Sequence, residues 1–158
     1  MTPEDLAAAL RLLLPHTEIV LGDKPGRVVV KMAPKPQALT IFIALSKSGD
    51  QAEVGDSDPH QRPRDRGGEL VTTSAVMDRI TRIVTDYATH NPYRFGRDPL
   101  VEPRIRAWAH LPDVLPMIRP KVDALLDADR KAAAKVREDL RLHEEDIAAL
   151  ERALGVTP

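Results

Sequence analysis

Residues 27–46 read RVVVKMAPKPQALTIFIALS and contain two apolar runs, with two prolines between them. Each run alternates with a period of two, the side-chain period of a β-strand, so strands are predicted at residues 27–32 and 38–46. The second run is also partly apolar on its other face, which predicts a central strand covered on both sides. The main apolar faces consist of Val28, Val30, Met32, Leu39, Ile41, Ile43 and Leu45.

Turn signals on both sides of this stretch extend the sheet. Residues 22–26 read GDKPG, a turn by composition, which places another strand at residues 17–21. Short strands are also predicted at residues 51–54 and 69–72. The expected sheet is therefore small and antiparallel, with three to five strands.

Helices are predicted before and after the sheet, which makes the expected fold α+β. Residues 3–14 follow Thr2, which can cap a helix, and begin with Pro3, which suits the first helical position. Residues 74–90 show apolar side chains at helical spacing. The predicted apolar stripes are Leu6, Leu10, Leu13 and Leu14 in the first helix, and Val76, Ile80, Ile83, Val84 and Tyr87 in the second.

Residues 92–120 contain six prolines, at positions 92, 99, 103, 112, 116 and 120. Because proline lacks a backbone N–H and breaks helices, no long helix is expected to cross this stretch. Short helical turns are predicted near residues 104–110. Tyr93, Phe95 and Trp108 lie in the same stretch, so we expect it to pack against the domain, since disordered segments are poor in aromatic residues.

A heptad pattern begins after Pro120 and runs to Leu154. Apolar residues recur there in alternating steps of three and four, with Asp129 and His143 as polar interruptions. Gly155 stands where a C-terminal cap belongs. The helix-association residues predicted from this pattern are Val122, Leu126, Ala133, Val136, Leu140, Ile147, Leu150 and Leu154.

A continuous helix over residues 121–154 would be roughly 50 Å long. That is far more than the ~15 Å radius of gyration of a compact domain of this size. The helix therefore either breaks near residues 127–129 and folds back, or pairs with a helix of a second chain. We favour pairing, because the break lacks a turn signal. The predicted division is an α+β domain at residues 1–111 and a helical, coiled-coil extension at residues 112–158.

Composition excludes several kinds of site. The chain has 158 residues and no cysteine, which removes disulfides, thiolate nucleophiles and Cys-based zinc sites. The histidines show no metal-ligand spacing, and phosphate-loop, nucleophile-elbow and dinucleotide motifs are absent. We therefore expect no enzyme activity, no cofactor and no metal. No apolar run reaches about 18 residues and the N-terminus is acidic, so we expect a cytoplasmic protein without membrane contact.

Arginines and aromatic residues are the candidate partner-binding group. Residues 60–106 carry nine basic and six acidic groups, whereas the whole chain has a net charge of −1. Such residues form hot spots of protein interfaces, and they can equally serve for packing within the fold. The predicted partner-binding residues are Arg94, Phe95, Arg97, Arg104, Arg106 and Trp108.

These patterns predict a non-enzymatic protein–protein interaction module, such as an adaptor, an assembly factor, a chaperone-like protein or an inhibitor. It would form homo-oligomers or bind a protein partner through its C-terminal helix and its arginine and aromatic surface. The alternative is a nucleic-acid-binding protein whose phosphate contacts include Arg62, Arg64 and Arg66. A weaker third hypothesis is a metal-dependent hydrolase that uses Asp56, Asp58 and His60.

Overall fold

The computed structural model describes residues 1–57, 68–89 and 98–156. It begins with helix α1 and ends with three helices, and a sheet lies between them in sequence. This order confirms the predicted α+β fold. The elements are α1 (Pro3–Leu13), β1 (Glu18–Leu21), β2 (Arg27–Ala33), β3 (Leu39–Leu45), β4 (Gln51–Ser57), β5 (Glu69–Thr72), a 3-10 turn (Thr73–Ala75), α2 (Val76–Tyr87), α3 (Val101–Trp108) and α4 (Leu115–Leu154).

The five strands form one antiparallel sheet in the order β1-β2-β3-β4-β5, so each strand pairs with its neighbour in sequence. Val28 of β2 pairs with Ile43 of β3, and Ile43 pairs with Val54 of β4, which aligns the apolar side chains of three strands. Gly26 and Gly49 have positive φ angles of 79° and 73° in the turns before β2 and β4. Glycine adopts this conformation at little cost.

Among the described residues, the two faces of the sheet differ in burial. Helix α1 contacts β1 and β2, and helix α2 contacts β4 and β5. The sheet face that includes Val30, Ile41 and Val54 is completely buried. On the opposite face, Phe42 and Ala44 are half-buried. β3 is therefore the central strand, as predicted, but its second face is covered only in part. Unequal burial of the two faces is usual for an antiparallel sheet.

The apolar stripe of α1 differs from the prediction at two residues, Leu13 and Ala7. Leu6, Leu10 and Leu14 are buried, whereas Leu13 is 61% exposed. Leu13 is the last residue of the helix, at the edge of the stripe. Ala7, which the prediction leaves out, is buried with the three leucines.

Long-range hydrogen bonds attach α3 and the loop after it to the N-terminal part of the chain. The Trp108 indole N–H donates to the Gln37 carbonyl at 2.9 Å. The Asp113 carboxylate accepts from the His16 backbone N–H and from the Thr17 hydroxyl, both at 2.8 Å. The described part of the proline-rich segment is therefore packed, as predicted.

Helix α4 begins earlier than the sequence predicts. It begins at Leu115 and includes both Pro116 and Pro120, whereas the heptad pattern predicted a start after Pro120. Residues 109–114 separate α3 from α4, so no long helix crosses residues 92–120, as predicted. Pro116 is the second helical residue, where no bond to the preceding turn of the same helix is required. Pro120 lies inside the helix and leaves one backbone bond unmade.

The same helix passes through residues 127–129 without a break and ends at Leu154, for a length of 40 residues. The fold-back alternative is therefore wrong. Gly155 ends the helix with φ of +68°. The Gly155 N–H donates to the Arg152 carbonyl at 3.3 Å, and the Val156 N–H donates to the Glu151 carbonyl at 3.0 Å. This pair of bonds is the Schellman motif, which confirms the predicted cap.

The chain divides into two compact units, Met1–Val122 and Asp123–Pro158. The predicted domain boundary between residues 111 and 112 stays a prediction, since compactness does not show that either unit folds by itself. Among the helices of residues 1–57, 68–89 and 98–156, none combines the length and the apolar character that a membrane span requires.

Candidate interaction surface

The second unit consists mainly of the distal segment of α4, which we define as residues 123–154. Every side chain from residue 126 to residue 154 is exposed to solvent. A helix in a globular protein normally gains most of its stability by burying an apolar face against other elements. Residues 126–154 bury no such face against the part of the chain that the structure describes.

The apolar residues of the distal segment lie on one side, in the heptad order that the sequence predicts. We call this set the heptad stripe. Its large side chains are between 45% and 78% exposed, at Leu126 and Leu154 respectively. Val122, the first predicted association residue, belongs to the first unit and is half-buried. The stripe consists of Leu126, Ala133, Val136, Leu140, Ile147, Leu150 and Leu154.

Ion pairs away from the stripe support the helical conformation. Arg141 donates to Glu138 at 2.6 Å and also pairs with Glu145. The hydrogen bond from Arg141 lowers the pKa of Glu138 and, from the other side, raises the pKa of Arg141. These groups are fully exposed, so solvent screens them and each pair contributes little to stability. The stripe therefore remains the main uncompensated feature of the segment, and its geometry suits pairing with another helix.

Two members of the arginine and aromatic group, Arg104 and Trp108, are buried, so the prediction that they lie on a partner-binding surface is wrong. Arg104 is only 5% exposed. Its guanidinium contacts the Asp98 carboxylate at 3.3 Å and donates to the Tyr87 carbonyl at 2.5 Å. It also lies over the Tyr87 ring, 5.4 Å from the centroid, and over the Trp108 ring, 5.8 Å away. This arginine therefore serves the core.

The other two described members of the group differ in burial. Trp108 is 2% exposed, and its indole N–H already bonds to the Gln37 carbonyl. Arg106 lies on the surface and pairs with Glu102, four residues earlier, at 2.8 Å. Of the three described members, only Arg106 is therefore accessible to a partner. The remaining predicted residues, Arg94, Phe95 and Arg97, lie outside the described residues.

The ion pair between Asp98 and Arg104 is a structural contact that the sequence pattern did not predict. Asp98 lies six residues before Arg104 and outside the i+3 and i+4 spacings that helical ion pairs follow. The Glu102–Arg106 pair does follow that spacing. This spacing is a sequence signal from which the pairing of Arg106 on the helix surface could have been predicted.

The alternative sites fall largely outside the described ranges. Arg62, Arg64 and Arg66 do so, and the nucleic-acid alternative that rests on them stays a prediction. Asp58 and His60 of the hydrolase hypothesis do so as well, while Asp56 is buried near the end of β4. Within residues 1–57, 68–89 and 98–156, no group of three or more His, Asp or Glu side chains is arranged to hold a metal ion.

Comparisons of this chain with models of protein families, with curated proteins and with solved structures found no match.

Proposed function

We propose that the protein is a non-enzymatic interaction protein that associates through the distal segment of α4. One observation carries the proposal: a continuous helix presents an apolar stripe in heptad order, and every side chain of that stripe is exposed. Adaptors, assembly factors, chaperone-like proteins and inhibitors share this general mode of action. Self-association is the form of the proposal that purified protein can test.

The energetic argument rests on the size of the stripe. Full burial of a Val, Leu or Ile side chain contributes about 1.5–3 kcal/mol. An exposed ion pair on the same helix contributes about 0–1 kcal/mol. Burying the stripe therefore contributes more free energy than the exposed ion pairs of the segment. Asp129 and His143 interrupt the stripe, which lowers the affinity and restricts the arrangements that a partner helix can take.

Two leucines on the same helix provide a matched test. Leu140 belongs to the stripe and is 58% exposed, whereas Leu142 lies off the stripe and is 46% exposed. We expect Leu140→Asp to shift the purified protein from an associated species to a monomer. Leu142→Asp should leave the mass of that species unchanged. Size-exclusion chromatography with light scattering reads both results.

The outcome that contradicts the proposal is an equal response to the two substitutions. If both leave the mass unchanged, the stripe does not mediate association. If both abolish association equally, the added charge acts through general effects on the helix and not through the stripe.

A further inference from the structure

Charge is divided unequally along the distal segment. Residues 130–137 carry four basic and no acidic groups, a net charge of +4. Residues 138–151 carry one basic and six acidic groups, a net charge of −5. Two copies of this helix side by side attract each other when the basic part of one lies along the acidic part of the other. Two parallel copies in register place like charges together.

Heptad positions show where these charges lie relative to the stripe. The steps of three and four assign Leu126, Leu140 and Ile147 to position a, and Val136 and Leu150 to position d. Positions e and g flank the stripe, and their charges determine helix orientation in coiled coils. The e residues are Asp123, Arg130, Arg137, Glu144 and Glu151, and the g residues are Leu125, Ala132, Asp139, Asp146 and Ala153.

A parallel dimer is unfavourable at both the flanks and the centre. In that arrangement a g residue faces the e residue five positions later in the second copy. Asp139 would then face Glu144, and Asp146 would face Glu151, each pair occurring twice. Position d would also bring Asp129 against its own copy inside the interface, where repulsion between like charges is least screened.

An antiparallel dimer changes these pairings, because e then faces e and a faces d. With residues 129–154 overlapping, Arg130 faces Glu151 and Arg137 faces Glu144 of the second copy, each twice. The interface places Val136 against Ile147 and moves each Asp129 to the end of the overlap. Asp139 facing Asp146 is the opposing contribution, also present twice. Four attractive flank pairs therefore stand against two repulsive ones.

Neighbouring registers are less favourable. Moving the helices by one heptad to overlap residues 122–154 keeps two attractions, between Arg130 and Glu144, but adds four repulsions: Arg137 and Asp139 each face their own copy, and Asp123 faces Glu151 twice. Moving further in the same direction places Arg130 against Arg137. Moving one heptad in the other direction, to overlap residues 136–154, leaves two attractions, between Arg137 and Glu151, against two repulsions, since Glu144 and Asp146 each face their own copy. The charge pattern thus selects one register, with an overlap of 26 residues or roughly 39 Å at ~1.5 Å per residue.

We infer that the occupant of the heptad stripe is a second copy of this chain, bound as an antiparallel coiled coil in which residues 129–154 of the two copies overlap. This inference rests on the proposed self-association. It adds the partner, the orientation and the register. The residues that form the inferred overlap all belong to the second unit of the chain.

Cysteine pairs test the orientation directly, because the natural chain has no cysteine to interfere. Val136→Cys and Ile147→Cys are prepared as separate chains, mixed and oxidised. In the inferred register, position 136 of one copy lies beside position 147 of the other. Two copies of position 136 are 11 residues apart, roughly 16 Å along the axis. A disulfide joins Cα atoms about 4.4–6.8 Å apart.

The expected result is a disulfide-linked dimer from the mixture and none from either chain alone, as seen on a non-reducing gel. Sedimentation of the reduced variants checks that each still associates. If the natural chain is a monomer at every concentration, the proposed function itself fails. If the chain associates but Val136→Cys links to itself, or no mixed disulfide forms, the proposed function stands and the antiparallel inference is overturned.

Charge reversal provides an independent test. The variants Arg130→Glu/Arg137→Glu and Glu144→Arg/Glu151→Arg each place like charges at every facing e pair of the inferred dimer. Each alone should associate roughly ten-fold more weakly or worse, since four exposed pairs change sign. Their mixture restores all four attractions and should form a heterodimer. A parallel dimer predicts the opposite for Glu144→Arg/Glu151→Arg, which would associate more tightly by itself, and that result overturns the inference.

Discussion

At the scale of single residues, two arginines of α3 with similar sequence surroundings have opposite roles. Arg104 is buried against Asp98, Tyr87 and Trp108, and Arg106 is exposed and pairs with Glu102. The residue types alone predict a shared surface for both. Their separation depends on which side of a short helix faces the core, and that is set by contacts distant in sequence.

The buried ion pair predicts a large difference between matched substitutions. Arg104→Met removes the guanidinium from the buried Asp98 carboxylate and should lower the free energy of unfolding by about 3–5 kcal/mol. Arg106→Met removes an exposed pair and should cost about 1 kcal/mol or less. Urea denaturation of both variants measures the difference. Similar losses for the two would contradict the core role of Arg104.

A second prediction concerns the start of α1, where the expected cap at Thr2 is confirmed. The Thr2 backbone N–H donates to the Asp5 carboxylate, and the Asp5 N–H donates to the Thr2 hydroxyl, each at 3.1 Å. The backbone bond, and after it the Thr2 hydroxyl, lowers the pKa of Asp5 below its ordinary value of 3.8. Because the folded pKa is the lower one, this contribution to stability is present above the unfolded pKa and is lost as the pH falls through the folded pKa.

Thr2→Ala should therefore raise the pKa of Asp5 toward 3.8, since it removes the hydroxyl and leaves the backbone bond. An NMR titration of the carboxyl group measures this change. Asp50 is the internal control, because its pKa is lowered by Ser48 and Ser46 and should not respond. An unchanged Asp5 titration in the variant would contradict the prediction that the hydroxyl lowers the pKa of this carboxyl group.

At the scale of elements, sequence patterns predicted the strands and helix ends that depend on interactions between residues close in sequence. Period-two alternation predicted β2 and β3, and the capping signals at Thr2 and Gly155 are both observed. The start of α4 was predicted too late, after Pro120, because a proline in the first helical turn, such as Pro116, is tolerated. Ile118 in the same turn is fully buried, which composition does not show.

The exposed stripe leads to a prediction about α4 as an element. If association covers the stripe, the helical content of the chain should rise with protein concentration, because packing adds to the weak support from exposed ion pairs. Leu140→Asp should remove this dependence and Leu142→Asp should retain it. Circular dichroism at 222 nm over a hundred-fold concentration range measures both. A helical signal that is independent of concentration in an associating chain would contradict this coupling.

At the scale of the whole molecule, the two units show how much of the candidate site was predictable. The heptad stripe required only the order of residues along one helix, and the structure shows the continuous helix and the exposure on which the proposal depends. The arginine and aromatic surface required knowledge of which side chains the fold buries. The burial of Arg104 and Trp108 could not be predicted, because the Arg104–Asp98 and Trp108–Gln37 contacts join positions that no local pattern relates.

Sedimentation equilibrium of the natural chain over a wide concentration range tests the central claim most directly. One chain has a mass of 17.5 kDa. Self-association through the heptad stripe predicts a fitted mass that rises with concentration and levels off at twice the chain mass. A fitted mass that stays at that of one chain at every concentration would contradict the account, because the stripe would then remain uncovered in the purified protein.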